Sequence, residues 1–185
     1  VCKFSNYLQK LNLKKGDRVA AYVPNKIETI ISFLACAKNG IIWSSCSPDF
    51  GVQGVVDRFK QIEPKVLITS DYYFYNGKKI NILDKVDEVI KQIPSIEKVI
   101  VYNYYKKEKE NLKNFIDFEE TLNIESDETF ERFKFNHPIY ILFSSGTTGK
   151  PKCITHGAGN VLIEHNKEFM LHCDIRDNDK LFYYT

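Results

Sequence analysis

"RVAAYVPNKIETIISFLACAKNGIIWSSC", residues 18–46, is the stretch on which the fold turns. Residues 18–23 are small or apolar after the first and stop at Pro24-Asn25, so they read as a short buried strand. "KIETIISFLACAKNG" then carries apolar side chains at helical spacing, and Gly40 stands where a helix C-terminal glycine belongs. "IIWSSC" resumes as a strand. A strand, a helix and a strand in this order make a crossover unit with its two strands parallel.

The same alternation runs outward in both directions. Upstream, "FSNYLQKL" reads as a short amphipathic helix ended by the turn "NLKKGD". Downstream, "SPDFG" is a turn, "VQGVVDRFKQIE" a helix closed by Pro64, and "KVLITS" a third strand. "ILDKVDEVIKQI" and "KVIVY" add a helix and a strand. Residues 103–136 break the rhythm, and "NYYKKEKENLKN" reads as a solvated surface insertion. "IYILF" and "KCITH" are then strands, "AGNVLIEHNKEFMLHC" a helix, and "KLFYYT" a strand-like apolar run. The expectation is one α/β unit with a mostly parallel sheet. With Val1 at one end and "KLFYYT" at the other, the chain reads as a piece cut from a longer protein on both sides.

Composition narrows the function classes. The 185 residues are 43% hydrophobic and 27% charged, as in an ordinary globular protein, and the net charge is +2. That balance does not favour nucleic acid or an anionic membrane as a partner. No apolar run reaches the roughly 18 residues of a membrane span. Five cysteines, Cys2, Cys36, Cys46, Cys153 and Cys173, are odd in number and form no CxxC pair. They read as free thiols in a reducing, cytoplasmic compartment.

The chemistry concentrates in "YILFSSGTTGKPKCITHG", residues 140–157. Ordering a loop that contains Gly146 and Gly149 is costly, because glycine loses the most backbone freedom. An anionic ligand would offset that cost. The two glycines let backbone amides turn to one side, Ser144, Ser145, Thr147 and Thr148 add hydroxyls, and Lys150 and Lys152 add charge. A Walker-type loop is excluded: only Thr147 and Thr148 separate the glycines, Pro151 follows Lys150, and the chain continues as strand rather than helix. A hairpin with a charged tip is the plain alternative.

"YILFSSGTTGKPK" resembles the phosphate-loop signature of the adenylate-forming superfamily, which includes acyl-CoA synthetases and the adenylation domains of peptide synthetases. The resemblance implies that these residues are part of that family's large N-terminal domain, with a C-terminal domain outside the chain. It implies that Ser144, Ser145, Gly146, Thr147, Thr148, Gly149, Lys150 and Lys152 hold the ATP phosphates, with Mg²⁺, while a carboxylate attacks the α-phosphate. Cys153 departs from the glycine usual after the second lysine. "GIIWSSCSPDFGVQGVVDRFKQIEPKVLIT" and "ITHGAGNVLIEHNKEFMLHCDI" resemble the acetoacetate-using branch, which implies acetoacetate and CoA as further substrates. An acetate or other short-chain acid, or a non-catalytic nucleotide-binding fragment, are the alternatives. Lys78, in "YNGKK", falls where relatives place a cation for a CoA phosphate, although Lys78 and Lys79 also fit a solvated turn.

Other chemistry-bearing residues have plainer readings. Trp43 is expected to pack under the following loop. His156, His165 and His172 have no zinc spacing and carry no metal expectation. Asp49 and Asp57 read as turn and helix-face carboxylates, so no acid–base pair and no catalytic residue is assigned.

Overall fold

The computed structural model describes residues 1–104, 115–126, 128–144 and 149–182. Helix α1 (Cys2–Lys10) leads into strand β1 (Arg18–Tyr22). Helix α2 (Ile27–Lys38) then crosses to β2 (Ile42–Cys46), which pairs parallel with β1, Val19 opposite Trp43. Gly40 ends α2 as expected, with φ of +64°. Its N–H bonds back to Ala37 O, and that of Ile41 to Cys36 O, which satisfies the last carbonyls of the helix.

Helix α3 (Val52–Ile62) and β3 (Val66–Ser70) follow as read from the sequence. The alternation did not anticipate the hairpin after β3, β4 (Tyr72–Tyr75) and β5 (Lys78–Asn81); Lys78 and Lys79 are exposed directly after its turn. Asn76 and Gly77 both have positive φ, 48° and 73°, the conformation a two-residue hairpin turn needs and that Asn-Gly supplies. Helix α4 (Leu83–Gln92) and β6 (Lys98–Tyr102) complete this half.

Two short elements lie within residues 103–136, where the alternation breaks. Strand β7 (Ile116–Asp117) pairs with β6, and the short helix α5 (Phe118–Thr121) buries Phe118 and Thr121. Residues 105–114 lie outside the described residues. The chain then returns across the sheet to β8 (Pro138–Ser144), parallel to β2, and turns back through the antiparallel β9 (Lys152–Gly157). Helix α6 (Ala158–Lys167) passes into a π-helical segment, Glu168–His172, where a single regular helix was expected. Leu181 and Phe182, from the strand expected in "KLFYYT", belong to no strand and are exposed, while residues 183–185 lie outside the described residues.

The strand order is β7-β6-β3-β1-β2-β8-β9, parallel except for β9. Strand alternation sorts the core into two layers. Ala20, Tyr22, Leu67 and Val99 meet Val55, Val56 and Phe59 of α3 and Val86 and Val89 of α4 on one face. Val19, Ala21, Ile68 and Ile100 meet Phe4 and Leu8 of α1, Ala35 and Cys36 of α2, and Phe118 on the other. The near-continuous apolar runs of β1, β3 and β6 follow from burial on both faces. The outer hairpin is different: Leu142 and Ile154, register partners, are both exposed.

Candidate functional site

Three features leave the sheet at one edge, the carboxyl ends of the parallel strands. The glycine-hydroxyl loop follows β8, the hairpin follows β3, and a cleft opens beyond β1 and β2. The chain places β2 on one side of β1 and β3 on the other. Such a reversal of strand order opens a crevice where α/β sheets take their ligands.

The loop hangs on the β8–β9 pair. Ser144 and Lys152 are register partners, so the loop spans residues 145–151. β8 is seated by pairing with β2, Trp43 opposite Tyr140, and by the Ser44 hydroxyl, which donates to the Ile141 carbonyl at 2.8 Å. Ser144 is half-buried at the stem, whereas Gly149, Lys150 and Lys152 are exposed. Gly149 has φ of +141°, a conformation that a side chain would strain. Ser145, Gly146, Thr147 and Thr148 lie outside the described residues. Gln61 of α3 hydrogen-bonds to the outer arm, a contact the sequence did not signal.

The cleft, of about 410 Å³, is lined by Pro24, Asn25, Ser45, Asp49, Tyr73 and Tyr75 among others. One wall is the loop after β2. The buried Tyr22 hydroxyl reaches the carbonyls of Pro48 (3.0 Å) and Phe50, while Arg58 lies over the Phe50 ring at 4.4 Å. Burial pushes the Tyr22 phenol up, so the hydroxyl keeps its proton and donates. Burial, then a hydrogen bond from Tyr73 to Asp49 and the Asp49 charge, push the Tyr73 phenol up too. The other wall is the hairpin. Asp71 Oδ1 accepts from the backbone N–H groups of Tyr72 and Tyr104, both at 2.8 Å, and so ties the hairpin to the end of β6.

Lys78 is the exposed first residue of β5, opposite Tyr75. It shares a hairpin face with Tyr73 and Tyr75, both in the cleft wall. Lys79, on the opposite face, lies 3.9 Å from the centroid of the Tyr72 ring. Lys78 and the loop lysines are not brought together: β1 and β2 stand between β3 and β8, a gap of roughly 14 Å at the usual strand spacing.

Trp43 departs from its expected place: it is buried in mid-strand against Phe33, not beneath the next loop. His156 packs on Tyr140, and His165 lies beside Phe169. Among the described residues no group of three His, Cys, Asp or Glu side chains is placed to hold a metal. Asp57 accepts from Gln53 on its helix face, and Asp49 from Ser47 in its turn. All five cysteines are free, and burial pushes the Cys46 thiol up to about 12, against a smaller opposing effect of Arg58. No helix among the described residues is long and apolar enough to cross a membrane.

Comparison with known proteins agrees over the whole chain. The profile of the AMP-binding enzyme family matches residues 1–184. Acetoacetyl-CoA synthetase of Xenopus tropicalis is 44% identical, and that of Rhizobium meliloti (strain 1021) 46% identical, each over 100% of this chain and 29% of its own length. The solved structure of acetoacetyl-CoA synthetase from Streptomyces lividans superposes with a TM-score of 0.92 at 38% identity, over 100% of this chain and 28% of that one. The chain thus spans less than a third of the length of these relatives.

Proposed function

The chain belongs to the AMP-binding enzyme family, and from that premise we propose that it supplies the polyphosphate grip of an ATP-dependent acid–CoA ligase acting on acetoacetate. The full reaction joins acetoacetate to CoA through an acyl-adenylate, with AMP and pyrophosphate released. Residues 1–185 form part of the large N-terminal domain of that enzyme, and a C-terminal domain completes it. The observation that carries the reading is the likeness to acetoacetyl-CoA synthetases along the whole chain, in sequence and in fold.

The geometry suits the chemistry. Lys150 and Lys152 stand exposed at the outer arm of the loop and Ser144 ends its inner arm; Ser145, Gly146, Thr147, Thr148 and Gly149 are the further residues assigned to the phosphates by the family resemblance. ATP enters with Mg²⁺ as the metal–nucleotide complex. As the carboxylate attacks the α-phosphate, negative charge grows on the departing pyrophosphate. Lysines and hydroxyls at that point stabilise that charge more than they stabilise bound ATP, which is what lowers the barrier. Lys78 serves the other substrate: on the cleft-facing side of its hairpin it meets a phosphate of CoA. The protein works in the cytoplasm, where the exposed thiols Cys153 and Cys173 stay reduced.

The test is ATP–pyrophosphate exchange by the full-length protein with a panel of acids. Exchange should depend on acetoacetate and exceed that with acetate at least about tenfold, the scale at which a fitted pocket discriminates small acyl groups. A preference for acetate would move the protein to the short-chain enzymes. No exchange with any acid, together with retained ATP binding, would leave a nucleotide-binding module.

A further inference from the structure

The outer arm of the loop is the weakly held one. Among the described residues β9 pairs with β8 alone, and residues 152–155 are exposed. β8 is wedged between β2 and β9. Edge strands fray, because water is an alternative partner for half of their backbone groups. Lys150 and Lys152 stand on the loose arm, so their placement depends on what steadies it.

Gln61, in the last turn of α3, is positioned to do so. Its Nε2 donates to the Asp57 carbonyl one turn back (2.7 Å) and to the Pro151 carbonyl (2.9 Å). Its Oε1 accepts from Cys153 Sγ at 3.6 Å. Both amide hydrogens and the oxygen are used, which fixes the orientation of the carboxamide. The helix beneath is firm, with Val55, Val56, Phe59 and Ile62 buried. Partial burial pushes the Cys153 thiol up, so its S–H stays intact as a donor. Cys153 pairs with Phe143 on the α3 side of the sheet, and strand alternation turns Lys152 to the other side. Among the described residues, no other side chain outside the β8–β9 hairpin hydrogen-bonds to residues 149–157.

We propose that Gln61 is a positioning residue for the triphosphate of ATP: its carboxamide clasps Pro151 and Cys153 on either side of Lys152 and holds the loop lysines where the polyphosphate docks. This rests on the reading of the loop as the ATP grip. The clasp joins α3 to the loop across 90 residues of sequence, so the helix surface and the loop stem act as one unit.

The experiment is ATP–pyrophosphate exchange by the full-length protein, with KM for ATP, kcat and the thermal midpoint recorded for each variant. Gln61→Glu keeps the shape of the side chain and removes both N–H donors; Gln61→Ala removes the clasp outright. Both should raise KM for ATP about threefold to tenfold, the scale of one or two neutral hydrogen bonds, with kcat changed less than about twofold. KM for CoA and the thermal midpoint should not move. Cys153→Ser, whose hydroxyl still donates to Oε1, should match the parent. Cys153→Gly should share the rise in KM and add nothing in a Gln61→Ala background. An unchanged KM for ATP in Gln61→Glu overturns the proposal. So does a fall in kcat accompanied by a lowered midpoint, which would make Gln61 merely structural. Lys150→Ala separates the two ideas. If it weakens ATP use while Gln61→Glu does not, the clasp alone is wrong; if neither has an effect, the loop reading fails with it.

Discussion

At the residue scale, the candidate site divides into side chains that a local string suggests and side chains that only the fold brings forward. The hydroxyls, glycines and lysines of residues 144–152 are contiguous, so their chemistry is readable in order. Thr148→Val should lower pyrophosphate exchange at least about tenfold, the size of one lost charge-stabilising contact. Gly149→Val should be worse, since a β-branched residue resists a φ of +141°. Lys78→Ala should raise KM for CoA and leave adenylate formation intact, as separate half-reaction assays would show; an effect on adenylation alone would remove Lys78 from the CoA side. Gln61 and Asp71 were not legible, because their partners lie 90 and 33 residues away and only the fold brings them together. Cys46 makes a pH-dependent prediction. Burial favours its neutral thiol, raising the pKa from 9.0 to about 12, so its contribution to stability is full below pH 9 and lost as pH climbs towards 12. At pH 10 that loss is about 1.4 kcal/mol, and urea unfolding of Cys46→Ala should show a shallower decline from pH 8 to pH 10 than the parent.

At the scale of elements, the parallel strands and their helices were legible because apolar periodicity is local and each turn carries a breaker. Gly40 is such a breaker, and its role is testable. Gly40→Ala must hold a φ of +64° and place a Cβ 2.6 Å from the Phe133 ring, which is stacked on His137. Left-handed strain plus the displaced ring should cost about 2–3 kcal/mol in denaturant unfolding. Gly77→Ala, with a φ of +73° but open space around it, should cost only about 1 kcal/mol. Equal losses would mean that Phe133 yields freely. The β4–β5 hairpin escaped the alternation argument because it is a local excursion outside the main sheet, although Asn76-Gly77 between aromatic and β-branched residues was its available signal. The π-helical turn at Glu168–His172 had no signal, since "EFMLH" is ordinary helix-forming sequence. Leu181 and Phe182 lie in no strand, and the last three residues of "KLFYYT" lie outside the described residues.

At the scale of the whole molecule, the surface is unevenly finished. Leu162, Met170, Leu171 and Phe182 are each more than 60% exposed, all on the C-terminal quarter of the chain, and α6 buries none of its residues. Residues 1–185 prepared alone should therefore self-associate at rising concentration in light scattering. They should also be inactive. A phosphate loop offers a few charge-assisted hydrogen bonds of about 1.5–3 kcal/mol each at best, against roughly 1–2 kcal/mol per residue to order it. ATP affinity in the millimolar range or weaker follows, and exchange above background from a contaminant-checked sample would overturn this. The return of the chain to β8 also sets a sequence in time. Ser44 meets Ile141 across 97 residues, about four times the span that joins β1 to β2, and closing that larger ring costs roughly 1.2 kcal/mol more entropy. The β1–β2–β3 nucleus should form first, during synthesis or refolding, and the β8–β9 hairpin should dock late. Pulse-labelled hydrogen exchange would then protect Val19 and Leu67 before Leu142. A nascent chain stalled before residue 140 would hold the β1–β2–β3 nucleus and still lack residues 144–152, the loop proposed to take the nucleotide.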